Sequence, residues 1–110
     1  MDHLHLLAST LVALGHGQDL VDVLPDTDYP WVRAAAALAR GDVGESADIC
    51  AAMGARTEEA HDRLLLAELL IEQGRRAEAD VELERALAFY SNVGATRCMR
   101  RGEALLAASA

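Results

Sequence analysis

The chain has 110 residues, a net charge of −8 at pH 7 and a hydrophobic fraction of 52%. Its length suits one domain, and its apolar content excludes a disordered tail. Because the cations are ten arginines against eighteen carboxylates, we expect neither nucleic acid nor an anionic membrane as a partner. Alanine and leucine dominate, while aromatic residues make up 4%, which predicts an all-α protein with small-residue contacts.

Capping signals and the hydrophobic period predict about seven helices. The first covers residues 3 to 14, with Asp2 as its N-cap. The short segment QDLVDVL forms the second, which Pro25 closes. The third is WVRAAAALAR, residues 31 to 40. There Asp28 is the predicted N-cap, and Pro30 fits the first turn.

Glycines separate the remaining predicted helices. Gly41 ends the third helix, and VGESADICAAM then forms the fourth, which Gly54 ends. Thr57 is the predicted cap of the fifth helix, AHDRLLLAELLIEQ, and Gly74 ends it. The sixth carries an apolar stripe that includes Ala79, Leu83 and Tyr90, and Gly94 ends it; the last covers residues 96 to 108.

An internal repeat underlies this order of elements. ALARGDVGESADICAAM (37–53) aligns with LLIEQGRRAEADVELERA (69–86) when Gly41 is placed on Gly74, an offset of 33 residues. Each segment contains a helix, a glycine turn and a second helix. Because one such pair leaves an apolar face bare, helix pairs of this kind are typically stacked in arrays.

The second unit resembles a tetratricopeptide repeat, a helix–turn–helix motif of about 34 residues. Ala67 and Leu70 match the motif's first helix, and Ala79, Leu83 and Ala86 match its second. In the first unit Ala34 fits the small position. The motif's usual Ala, large residue and Ala are replaced there by Ser46, Cys50 and Met53.

The resemblance implies antiparallel helical hairpins stacked as a short superhelix in a single domain, residues 1–110. Residues 1–27 would form a degenerate first hairpin, 29–54 and 57–94 two repeats, and 96–108 a capping helix. The ending LERALAFYSNVGATRCMRRGEALLAAS is also similar to the C-terminal helical-repeat regions of large bacterial ATPase-type signalling and transcription regulators. That similarity implies a bacterial, cytoplasmic protein.

In tetratricopeptide arrays the first helix of each pair lines a concave groove that binds a segment of a partner protein. Carried onto this chain, the resemblance implies eight groove residues, which we call the first-helix set. They are Asp28, Trp31, Ala35, Leu38, His61, Leu64, Glu68 and Glu72. Trp31 would either anchor a peptide or fill the core between helix pairs.

Few residues indicate metal binding or catalysis. His3 and His5 are two apart and point away from each other on a helix, so they predict no metal site. Glu68 and Glu72 share a face, but acid–base catalysis also needs a pocket and a partner group. Because the sequence has no phosphate loop or nucleophile motif, we predict that it is not an enzyme and needs no cofactor. Cys50 and Cys98 read as buried thiols.

Three functions remain open. The first is an interaction module that binds a protein segment. The second is a regulatory or ligand-sensing segment of a larger regulator. The third is a self-associating unit, a homodimer through the N-terminal hairpin, with Leu6, Leu7, Leu11 and Leu20 at the contact. Arg97, Arg100 and Arg101 form a basic surface patch that could bind an acidic partner or simply keep the last helix soluble.

Overall fold

The computed structural model of the chain describes residues 2–94 and 96–108. These residues contain helices and no strand, so the all-α prediction is confirmed. The helices are α1 (His3–Ala13), α2 (Gly17–Val21), α3 (Pro30–Ala39), α4 (Val43–Met53), α5 (Arg56–Glu72), α6 (Arg76–Val93) and α7 (Thr96–Ala107).

Helix starts show which capping predictions hold. The carboxylate of Asp2 accepts a hydrogen bond from the His5 N–H at 3.1 Å, which confirms this N-cap. The prediction for Asp28 is wrong, because Tyr29 occupies the N-cap position and Pro30 is already helical. The prediction for Thr57 is also wrong: α5 begins at Arg56, so Thr57 lies inside its first turn.

The second helix is shorter than predicted. It ends at Val21, before the expected end at Leu24. Pro25 disfavours the helical conformation of the residue before it, and Val23 is 73% exposed and therefore contributes little packing. Neither local propensity nor burial extends α2 further.

The turns at Gly41 and Gly74 have the same geometry. Their φ angles are +89° and +74°, a region that favours glycine. At both turns the glycine N–H donates to the carbonyl three residues back at 3.0 Å. The next N–H donates to the carbonyl five residues back at 2.8 Å. This pair of bonds is a Schellman motif, which closes the helix and lets the chain turn into the next one.

Burial follows the same 33-residue offset. The predicted small positions of the two first helices are fully buried, and so are the first two inward positions of the second helices. The equivalent pairs are Ala34 and Ala67, Ser46 and Ala79, and Cys50 and Leu83. The third pair differs, because Ala86 is buried while Met53 is half-buried. The repeat found in the sequence therefore also describes which side chains form the core.

The described chain divides into two compact units, with the division after Glu59 inside α5. In the first unit α3 packs against both α1 and α4, and α2 contacts α1 and α3. Its core consists of small and medium side chains: Ala8, Leu20, Ala34, Ala35, Ala37, Leu38, Val43, Ala47 and Cys50. The backbone N–H of Asp2 also donates to the Glu58 carboxylate at 2.6 Å.

In the second unit α5, α6 and α7 share one apolar cluster. Its buried members are Ala60, Leu64, Ala67, Leu70, Ala79, Leu83, Ala86 and Tyr90. Gly102 brings α7 close to α6, because a Cβ there would lie 2.7 Å from a methyl group of Leu87. The guanidinium of Arg76 donates to the carbonyls of Leu105 and Leu106 and so holds the end of α7.

Among the described residues, no helix combines the length and the apolar character that crossing a membrane requires.

Candidate interaction surface

The first-helix residues of the first unit fall into two groups. Ala35 and Leu38 are fully buried in α3, so a partner could not reach them without displacing their neighbours. Trp31 is half-buried, and Asp28 is exposed in the loop before α3. Burial therefore removes Ala35 and Leu38 from the predicted groove and leaves Asp28 and Trp31.

The same division holds in the second unit. Leu64 is 1% exposed and belongs to the apolar cluster, so it too is removed from the predicted groove. His61 and Glu68 are half-buried, and Glu72 is exposed. The Nδ1 atom of His61 lies 4.0 Å from the carboxylate of Asp62, too far for a hydrogen bond.

The basic patch is exposed, as expected for the outer face of α7. Arg97, Arg100 and Arg101 all face solvent. Arg101 forms an ion pair with Glu68, so one member of the patch is engaged by a first-helix residue of the same unit. This ion pair also occupies one of the two carboxylates, Glu68 and Glu72, that could be considered for acid–base chemistry.

An open groove lies on the face that α3 and α4 share. Its volume is about 360 Å³, and its apolar lining comes from Pro30, Ile49, Ala52 and Met53. We call this surface the α3–α4 groove. Its rim carries three charged side chains, Arg33, Glu45 and Asp48. An apolar floor with a charged rim is typical of surfaces that bind a short peptide segment.

A second cavity lies beside this groove. It has a volume of about 240 Å³ and combines the loop before α3 with α3 itself and the start of α4. Five charged side chains line it: Asp26, Asp28, Arg33, Arg40 and Glu45. We call it the polar pocket. Because Arg33 and Glu45 line both cavities, the α3–α4 groove and the polar pocket form one continuous surface.

Ion pairs hold one of the two arginines in the polar pocket. Arg40 lies 3.5 Å from the Asp42 carboxylate and 3.3 Å from that of Glu45. All three side chains are about half exposed, so these pairs are worth only about 0–1 kcal/mol each. A ligand or partner group could therefore displace them at little cost.

The net charge of the chain is concentrated in the first unit. Residues 1–59 contain three arginines against ten carboxylates, a net charge of −7. Residues 60–110 contain seven arginines against eight carboxylates, a net charge of −1. Together the α3–α4 groove and the polar pocket carry the carboxylates of Asp26, Asp28, Glu45 and Asp48 against Arg33 and Arg40, a net charge of −2.

The sequence alone did not reveal the α3–α4 groove. Met53 was aligned with an inward position of the repeat, yet it lines the groove together with Ile49. A signal was present, since α4 has apolar residues on more of its circumference than one buried stripe requires. The excess falls at positions 49, 52 and 53, which share one side of the helix.

No family model, curated protein or solved structure matches this chain in comparisons with known proteins.

Proposed function

We propose that this chain is a helical-repeat interaction module that binds a segment of another protein and has no enzymatic role. The observation that carries the proposal is the α3–α4 groove, an exposed apolar surface on a hairpin whose other side forms the core. The common burial pattern at the 33-residue offset supports a tetratricopeptide-like relationship. Helical hairpins of this kind offer a rigid surface, which suits partner binding better than catalysis.

Selection from an unbiased random-peptide display library tests this function without a known partner. A selected peptide should quench or shift the fluorescence of Trp31, the only tryptophan, which lies next to Pro30 of the groove. We expect saturable binding with a dissociation constant on the order of 10 μM. If repeated selections yield no peptide that binds the folded chain, the proposal fails.

Ligand sensing is the second candidate, and the polar pocket is the observation that favours it. The pocket presents both carboxylates and guanidinium groups, a combination that would suit a small zwitterion such as an amino acid. A ligand present at 100 times its dissociation constant would stabilise the fold by about 2.7 kcal/mol. Thermal-shift screening against zwitterionic metabolites would show this, and an unchanged melting temperature throughout would eliminate the candidate.

A further inference from the structure

We propose that the α3–α4 groove takes a cationic segment of a partner protein, with one apolar side chain in the groove and Arg or Lys residues on either side of it. This inference rests on the proposed interaction function and specifies the chemistry of the partner. Apart from Asp28 in the adjoining polar pocket, its residues do not belong to the first-helix set, three of whose eight members are buried.

The floor of the groove explains the apolar anchor. Ile49 and Met53 are half-buried and one helical turn apart, and Ala52 between them is exposed. A leucine- or methionine-sized side chain placed there would cover apolar surface that water now contacts. Met53 can adapt its shape to the anchor, because methionine has three rotatable bonds and a polarisable sulfur.

The carboxylates around the α3–α4 groove are the reason to expect cations on both sides of the apolar residue in the partner segment. Glu45 and Asp48 lie on the rim, and the adjoining polar pocket adds Asp26 and Asp28. Against these four carboxylates the same surface offers two arginines, which leaves a net charge of −2, and Arg40 pairs with Glu45 of this set and with Asp42. Charges within about 8–10 Å of one another interact at physiological salt, so the whole surface attracts a cationic segment.

An acidic segment is the main alternative occupant of the α3–α4 groove. Arg33 is exposed on the rim and could bind a carboxylate of an acidic segment. A net charge of −7 on the first unit would repel the rest of such a segment and slow its association. We therefore expect the attraction of Arg33 for an acidic segment to be weaker than the attraction of the carboxylates for a cationic one. The experiment compares a cationic and an acidic peptide directly.

Three labelled peptides, measured by fluorescence anisotropy with the full chain, test the proposal. The probe carries one leucine flanked by arginines. In the second peptide glutamates replace the arginines, and in the third serine replaces the leucine. We expect only the probe to bind tightly, with the other two at least about tenfold weaker. Raising the salt from about 0.05 to 0.5 M should also weaken the probe about tenfold.

Matched variants locate the binding site. Ala52→Arg places a larger, positively charged side chain on the groove floor and should weaken binding of the probe at least about tenfold. Ala77→Arg makes the same change at an exposed position of α6 and should leave binding within about twofold. Glu45→Gln should weaken the probe about two- to fivefold, whereas Glu84→Gln on α6 should not. Circular dichroism melting confirms that each variant is folded.

Two outcomes would overturn the proposal. Equal binding of the probe by the Ala52→Arg and Ala77→Arg variants would show that only the overall charge attracts it. Tighter binding of the glutamate peptide than of the probe would show that the groove prefers an acidic segment. Failure of this groove proposal can be distinguished from failure of the proposed interaction function. A library-selected peptide that is insensitive to Ala52→Arg leaves that function standing and removes only the groove, whereas the absence of any selected peptide removes both.

Discussion

Arg63 and Glu82 form an ion pair in the second unit that is largely shielded from water. Nη1 of Arg63 lies 3.0 Å from Oε2 of Glu82, and the side chains are 8% and 15% exposed. The pair joins α5 to α6, so charged groups interrupt an otherwise apolar contact between these helices. Removing one partner of such a pair leaves the other charge largely desolvated and without this ion pair.

Replacement of Glu82 by alanine should therefore be strongly destabilising. We expect the free energy of unfolding to fall by about 3 kcal/mol, as measured by urea denaturation. Glu84 lies two residues further along the same helix and is exposed, so Glu84→Ala should change stability by less than about 0.5 kcal/mol. Similar losses in the two variants would show that the Arg63–Glu82 contact contributes little.

Tyr90 makes the fold less stable as the pH becomes strongly alkaline. Burial raises the pKa of its phenol above the ordinary value, and the neighbouring Cys98 thiol raises that pKa further. An unfolded tyrosine ionises near pH 10, whereas folded Tyr90 remains protonated there. The stability from the neutral phenol is therefore fully present below about pH 10 and is lost as the pH rises above it.

The Tyr90→Phe variant should show a smaller loss of melting temperature between about pH 9 and pH 11 than the unmodified protein, because its side chain cannot ionise. Tyr29 is 70% exposed, so Tyr29→Phe should retain the full loss and serves as the control. Parallel melting curves for all three proteins across this range would contradict the assignment to Tyr90.

At the residue scale the sequence predicted the N-cap at Asp2, but its cap predictions at Asp28 and Thr57 were wrong. Asp2 was identified because a side-chain acceptor before an apolar period is a local signal. The buried pair of Arg63 and Glu82 was not predicted, since their proximity depends on how α5 meets α6. For the same reason, Leu64 was assigned to a surface by the resemblance and lies in the core.

At the scale of elements, α2 is held where its first residue meets the end of α3. A Cβ at Gly17 would lie 2.4 Å from the carbonyl oxygen of Ala39 and 3.2 Å from a methyl group of Val12. The first of these is a backbone atom, which cannot rotate away as a side chain could. The absence of a side chain at position 17 is what lets α2 approach α3 this closely.

Gly17→Ala should move α2 away from α3 and lower the free energy of unfolding by about 1–3 kcal/mol, despite the better helix propensity of alanine. Gln18→Ala changes an exposed neighbour in the same helix and should have little effect. Chemical denaturation of both variants measures the difference. An unchanged or increased stability of the Gly17→Ala variant would mean that the contact relaxes without cost.

Hydrophobic periodicity and glycine turns predicted the helices because both are local signals in the sequence. The shared geometry of Gly41 and Gly74 was also visible, since only a glycine readily supplies a positive φ at a helix end. The α3–α4 groove was not visible, because it exists only after two helices pack and leave Ile49 and Met53 on their outer side. Helix existence is thus a local property of this sequence, while its candidate site is a property of pairing.

At the scale of the whole molecule, charge and exposed apolar surface oppose each other. The total charge of −8 repels other copies of the chain, and this repulsion is long-ranged and weakened by salt. Leu7 of α1 and Leu14, its C-cap residue, are two turns apart and are 47% and 66% exposed; Leu6 is 49% exposed. Contacts between such side chains are short-ranged and do not depend on charge screening. Leu20, which was also predicted at a dimer contact, is only 6% exposed.

From this balance we expect weak self-association through α1 that increases with both protein and salt concentration. Sedimentation velocity should show the mean mass rising above that of a monomer at high protein concentration, and rising further when salt is added to about 0.5 M. Leu7→Glu should abolish the rise, because it places a carboxylate within the apolar stripe. Val81→Glu adds the same charge to an exposed apolar site on α6 and should preserve the rise. A monomer under every condition, or equal effects of the two substitutions, would exclude α1 as the contact.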